Sequence, residues 1–432
     1  MPSPDPVALE IAAAFLAGPW QVGAMAARAR DSLGLARQGS AWLVKLARAA
    51  RQEFADAPHG SRDALAAFLV RRPLPRARIV HPVLGPARMR ASRFAVPPLA
   101  TEGELAAWLG VTPGVLDWLA DRRGLERHVD RRRLERYSYR WIAKRSGGAR
   151  LLEAPRGRLL QVQRRMLGDI LAHLPPHDAA HGFRRGRSAL TAALPHVGQP
   201  VVVRLDIEEF FNSITAARIR SVYRAAGYPE HVAWALAGLS TNRTPRALLS
   251  AVPFPLRSRL SAPHVPQGAP TSPALANLCA FRLDARLSGL AAAAGCRYTR
   301  YADDLAFSGD LALGRRVVRL AAMVEAIAAD EGFRLNARKT RVLRAGVRQE
   351  YVGVVVNARA TIRRGEFDRL KAILTNCARH GPESQNREGH ADLRAHLRGK
   401  IAWVEGIDPR RGERLRSLFD RVDWGAVSRA GP

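Results

Sequence analysis

Two kinds of apolar pattern divide the chain: apolar residues at helical spacing, and short unbroken apolar runs rich in β-branched residues. Val7 to Leu16 and Ala41 to Phe54 read as helices, the second with Trp42, Leu43, Leu46 and Ala50 on one face. Pro58 to Gly60 breaks the pattern, another short helix follows, and a proline-rich stretch runs from Pro73 to Pro98. Thr101-Glu102-Gly103-Glu104 forms a capping box, because Glu104 lies three residues after Thr101. Val111-Thr112-Pro113 starts a second helix close behind it, with Leu116, Trp118 and Leu119. Val201 to Leu205 is a run suited to a buried strand, and Arg297 to Ser308 places β-prone flanks on either side of a polar turn. Beyond Asn357, Ala358 to His380 and Ala391 to Trp403 read as helices, with Leu393, Leu397, Ile401 and Val404 on one face.

The chemistry sits where the strand patterns end. Tyr301-Ala302-Asp303-Asp304 puts two carboxylates at a hairpin tip, and Asp206 follows the run Val201 to Leu205. A polymerase needs such a set, because two Mg²⁺ ions about 4 Å apart clamp the attacking and leaving oxygens in phosphoryl transfer. Mg²⁺ takes carboxylate and phosphate oxygens and keeps some water. An exposed acidic loop is the better account of Glu208 and Glu209. Between the two acidic segments, Val265 to Asn277 is a Gly/Pro-rich loop opening a helix, with Ser272 as N-cap and Pro273 as first helical residue.

The order Asp206, then Gln267-Gly268, then Asp303-Asp304 resembles that of reverse transcriptases, the bacterial retron type most closely, over about residues 100 to 425. The resemblance implies an α+β right-hand polymerase with a helical N-terminal extension. Its parts would be a basic helical extension at 1–95, fingers with a preceding helical pair at 96–200, a palm at 201–357 with a fingers insertion about 213–260, and a helical thumb at 358–432. Asp206, Asp303 and Asp304 would be the metal ligands, with Mn²⁺ as a substitute for Mg²⁺. Phe211 matches the aromatic that excludes a ribose 2′-OH, and Gln267 and Gly268 match the loop that packs on the incoming dNTP. Lys339 lies in a stretch, Gly332 to Thr340, whose lysine sits near the triphosphate. Trp141 to Pro155 looks like the fingers hairpin, with Lys144 and Arg150 toward nucleotide phosphates, and Glu350 to Asn357 resembles the primer-grip hairpin.

Retron-type enzymes carry Asn-Ala-x-x-His before the first catalytic strand; here Ala192 to His196 keeps the alanine and the histidine. Their Val-Thr-Gly, linked to recognition of their own RNA, reads Tyr351-Val352-Gly353. His196, Tyr351 and Gly353 are therefore expected to contact nucleic acid, as are Arg398 and Lys400 in the thumb. The resemblance further implies a structured non-coding RNA as template and primer, priming from an internal 2′-OH, an RNA–DNA product, and a role in antiphage defence beside an effector protein.

Composition agrees with nucleic-acid work: 69 Lys and Arg against 38 Asp and Glu give a formal net charge of +31. One dense stretch carries Arg131, Arg132, Arg133 and Tyr137, basic and aromatic residues suited to single strands. Three cysteines without metal-ligand spacing point to reduced thiols in a cytoplasm. No apolar run is long enough to span a bilayer, and the N-terminus lacks the features of a signal peptide. No segment for RNase H is expected within the chain, so any RNA-strand removal is expected to need another enzyme. Three other readings stay open: a defence polymerase without retron RNA (protein-primed or template-independent), a catalytically silent RNA-binding scaffold, and a helix-turn-helix regulator built on the pair after Thr101.

Overall fold

A computed structural model describes residues 5–36, 38–54, 57, 62–75, 77–80, 89–122, 124, 135–143, 147, 149–250 and 252–425. In chain order the elements are α1 (Pro6–Leu16), α2 (Val22–Ser32), α3 (Ala41–Glu53), α4 (Arg62–Val70), α5 (Glu102–Leu109), α6 (Pro113–Ala120), β1 (Tyr137–Ala143), β2 (Ala149–Pro155) and α7 (Gly157–Asp169). There follow α8 (Ala189–Ala193), β3 (Val201–Asp206), α9 (Ala216–Ala225), α10 (Glu230–Ser240), α11 (Phe254–Ser261), α12 (Ser272–Cys279) and α13 (Phe281–Ala293). The rest comprises β4 (Arg297–Tyr301), β5 (Asp304–Gly309), α14 (Leu311–Asp330), β6 (Arg341–Arg344), β7 (Glu350–Tyr351), β8 (Val354–Val355), α15 (Arg364–His380), α16 (Leu393–Ile407) and α17 (Pro409–Phe419). The chain divides into two units, one made of residues 1–175 and 211–279, the other of 176–210 and 280–432.

In the first unit α1 to α4 gather around Ile11, Phe15, Met25, Leu43, Leu65 and Leu69, all buried. The sequence reading gives two helices before residue 58, and the structure has three. α2 escapes because Val22–Ser32 is mostly Ala and Arg, a weak apolar stripe that only its neighbours complete. Arg28 from α2 ties off the end of α1, donating from Nε to the carbonyl of Ala14 (2.7 Å) and from Nη2 to those of Phe15 and Pro19 (both 2.9 Å). Thr101 and Glu104 make the expected capping box at α5, and Thr112 caps α6 behind Pro113. β1 and β2 form an antiparallel hairpin in which Ile142 pairs with Arg150. α12 corrects one expectation: Ser272 is its first residue, buried, and its hydroxyl donates to the carbonyl of Pro266 (2.7 Å) instead of capping the helix.

The second unit is built on a four-stranded antiparallel sheet in the order β4-β5-β3-β6. β3 lies between two partners, which is why Val201, Val202 and Val203 are all buried and the run reads as unbroken apolar. Each such side chain contributes about 1.5–3 kcal/mol by leaving water. β7 and β8 form a small hairpin, and α15, α16 and α17 bury Leu370, Leu374, Leu397, Ile401, Val404 and Leu415 together with Tyr351 and Val354. The first of these helices begins at Arg364, not at Ala358, because Thr361 is engaged in a bridge to Val355. No helix among the described residues is long and apolar enough to cross a membrane.

Candidate active site

The end of β3 and the β4–β5 turn bring three carboxylates together. Asp206 and Asp304 are directly opposed in the β3–β5 ladder, and the Ile207 amide donates to the carbonyl of Asp303 (2.8 Å). Tyr301 pairs with Asp304, so Ala302 and Asp303 form a two-residue turn, with Ala302 at φ +56°. Asp206 is buried, and its Oδ2 accepts from Nζ of Lys339 at 2.8 Å. Lys339 reaches it because the chain after α14 is laid along the end of β3. The Glu208 amide donates to the carbonyl of Arg334, and the Asn336 amide to that of Asp206 (both 2.8 Å). Arg204, two residues before Asp206 and so on the same face of β3, lies 3.6 Å from Oδ1 of Asp304.

These surroundings set the charges. Burial raises the Asp303 carboxyl to about 6, with the neighbouring Asp304 adding to the effect. Burial also raises Asp304, against the pull of Arg204. Burial would lower Lys339, but its bond to Asp206 prevails and holds the ammonium above its ordinary value. Crowded carboxylates that resist ionisation are a site in need of a cation. Among the described residues no group of three or more His, Cys, Asp or Glu side chains is disposed to hold a metal ion. Mg²⁺ requires no such group: it is commonly held by one or two carboxylates together with substrate phosphates and water. The open acidic set fits such an ion.

Bracing around this set was not legible in advance. His196 is fully buried, with Nδ1 2.7 Å from the Ser308 hydroxyl and Nε2 2.8 Å from that of Thr299. Tyr351 is fully buried and its hydroxyl donates to the carbonyl of Asp304 (3.0 Å). Both side chains are buried away from solvent, against the expected contact with nucleic acid, and pack the strands behind the carboxylates. Gly353 is exposed at φ +83°, in a two-residue turn with Val352 at φ +45°, the pairing of a type I′ hairpin. A Cβ on Gly353 would lie 3.6 Å from the indole of Trp403, a half-exposed aromatic on α16. Arg398 and Lys400 are exposed on α16.

In the first unit, the Gln267–Gly268 loop is fastened to β2: the Glu153 amide donates to the carbonyl of Gln267 at 2.7 Å. Gly268 has φ +122°, a backbone conformation that strains any residue with a Cβ, and a Cβ there would press on the Leu152 side chain at 3.0 Å. Beneath the loop, the buried Glu153 carboxylate takes His264 (2.7 Å), Thr244 (2.8 Å) and Asn242 (2.9 Å). Burial works against both charges, yet their attraction prevails, holding Glu153 below and His264 above their ordinary values. Arg150 is exposed on β2 and Phe211 is half-buried. Tyr137 is fully buried and its hydroxyl accepts from Nε2 of Gln163 (3.1 Å), which corrects its expected contact with nucleic acid. Lys144, Arg131, Arg132 and Arg133 lie outside the described residues.

Residues 142–356 match the family described as reverse transcriptase (RNA-dependent DNA polymerase). The chain is 44% identical over 333 residues to the retron Mx65 reverse transcriptase of Myxococcus xanthus, covering 76% of this chain and 74% of that protein. It is 37% identical over 348 residues to the retron Mx162 reverse transcriptase of the same organism, covering 77% and 69%. The Escherichia coli retron Ec86 reverse transcriptase is 27% identical over 63% of this chain and 77% of its own. The chain belongs to the retron reverse transcriptases. It is an RNA-directed DNA polymerase with an α+β right-hand fold and a helical N-terminal extension, and its family works with divalent metal ions and an RNA template.

Proposed function

We propose that Asp206, Asp303 and Asp304 hold two Mg²⁺ ions and carry the synthesis of DNA on a dedicated structured RNA. The observation that supports this most is the pairing of Asp206 with Asp304 at the mouth of a hairpin whose turn carries Asp303. When bound, the ions stabilise the charge that develops on the attacking and leaving oxygens. The rest falls to the chain's own residues. Lys339, held in its charged form beside Asp206, is placed to turn toward a triphosphate and supply a proton to the departing pyrophosphate. Arg150 and Lys144 take phosphates of the dNTP, Gln267 and Gly268 pack on it, and Phe211 rejects a 2′-OH. Gly353, Arg398 and Lys400 meet the template and the RNA–DNA product by shape and charge.

In this reading the fingers are residues 96–200, the palm 201–357 with its fingers insertion about 213–260, and the thumb 358–432. The finer assignments follow the retron resemblance of the sequence motifs: a non-coding RNA as both template and primer, an internal 2′-OH as the starting nucleophile, and service in antiphage defence with an effector protein. The test is made on nucleic acid that co-purifies with the full-length protein, sequenced after RNase and debranching treatment. A single short DNA, branched from RNA through a 2′ linkage and missing from the Asp303→Asn variant, is the expected result. Unbranched or mixed-sequence DNA would remove the retron assignment, and product persisting in Asp303→Asn would remove Asp303 from the site.

A further inference from the structure

Behind the Tyr301–Asp304 turn lies a buried charge pair that the proposed chemistry leaves unused. Arg300 and Asp284, the latter from α13, are both fully buried. The guanidinium donates from Nε to Oδ1 (2.8 Å) and from Nη2 to Oδ2 (2.6 Å) of Asp284, and the Tyr298 hydroxyl also donates to Oδ1 (2.8 Å). The remaining arm turns back on the hairpin: Nη1 donates to the carbonyl of Ala302 at 2.9 Å. The main chain of Arg300 is fixed as well, its amide donating to the carbonyl of Ala179 and its carbonyl accepting from the His181 amide (both 2.8 Å).

Ala302 needs holding. Its φ of +56° is left-handed, a conformation that strains a residue with a Cβ. Gly182 presses on the same residue: a Cβ there would come within 2.6 Å of the Ala302 nitrogen. A buried ion pair is a weak stabiliser, since desolvation offsets its attraction and an apolar pair fills the same space without that cost. What an apolar pair cannot supply is the third bond, from Nη1 to the turn.

Resting on the reading of Asp303 as a metal ligand, we propose that Arg300 is a positioning residue for polymerisation: neutralised by Asp284, it fixes the Ala302 peptide and thereby sets the Asp303 carboxylate toward Asp206 and Asp304. Lysine keeps the charge and forgoes the planar fork that serves Asp284 and Ala302 at once. Arg300→Lys in the full chain is therefore expected to lower kcat for primer extension about 10- to 100-fold, with KM for dNTP unchanged. Mn²⁺ affinity, followed by electron paramagnetic resonance without nucleic acid or nucleotide, is expected to fall over the same range of about 10- to 100-fold. A cooperatively folded Arg300→Lys with kcat and Mn²⁺ affinity both unchanged would overturn the proposal. If Arg300→Lys does not fold, Tyr298→Phe decides. It removes one bond to Asp284 and keeps the ring stacked on Phe307, so a smaller fall in the same two quantities supports the proposal and no fall overturns it. Asp303→Asn, run alongside, separates the two claims: activity there ends the metal-ligand reading whatever Arg300 does.

Discussion

His196 commits both ring nitrogens to Ser308 and Thr299, and burial, with Arg297 adding, lowers its pKa to about 3. His181 and His231 are likewise lowered to about 4, mainly by burial. Because these folded values lie below that of a free histidine, the unfolded chain takes up protons first. Stability is therefore complete above about pH 6.5 and lost as the pH falls toward the folded values, at up to about 1.4 kcal/mol per unit for each histidine. Urea denaturation between pH 7 and pH 4.5 checks this: His196→Gln is expected to be less stable at pH 7 and to show a slope shallower by one proton. The same residue shows what a sequence hides. His196, Tyr351 and Tyr137 stand in motif-like contexts that suggest contact with nucleic acid, and all three point inward. An aromatic or imidazole side chain looks alike in a sequence whether it faces water or core. Arg300 is the converse, a charged residue in a strand with no exposed surface, and its partner Asp284 lies on a separate helix.

At the scale of elements, Glu153 and His264 join β2 to the loop that carries Gln267. Removing one member leaves a buried charge without its counterpart and strips Asn242 and Thr244 of an acceptor. Glu153→Ala is expected to cost about 3–5 kcal/mol in chemical denaturation. Elements with a strong signal were legible: the valine run of β3, the hairpin around Asp303, the capped pair α5 and α6. β6 was not, because Arg341–Arg344 is mostly exposed and joins the sheet through its main chain to β3. The Gly332–Thr340 segment was recognisable by its lysine, but its union with Asp206 depends on main-chain bonds from Glu208 and Asn336 that no spacing rule reports.

For the whole molecule, a net charge of +31 makes counterion release a large part of RNA binding. The logarithm of affinity should fall steeply and linearly with the logarithm of salt. Arg398→Ala with Lys400→Ala, both exposed on α16, is expected to reduce that slope by about 2, one for each phosphate no longer neutralised. A filter-binding series in KCl measures it, and an unchanged slope would take these two side chains off the nucleic acid.

The strand order carries a consequence for biosynthesis. β3 leaves the ribosome well before either of its neighbours, since β5 begins at Asp304 and β6 at Arg341. Its valines have both edges unsatisfied for on the order of ten seconds at ordinary elongation rates. Meanwhile residues 211–279, which belong to the other unit, are synthesised in between. A nascent chain in this condition is a natural client for chaperones and a candidate for aggregation when overproduced, so slow expression in the cold suits it better than rapid induction.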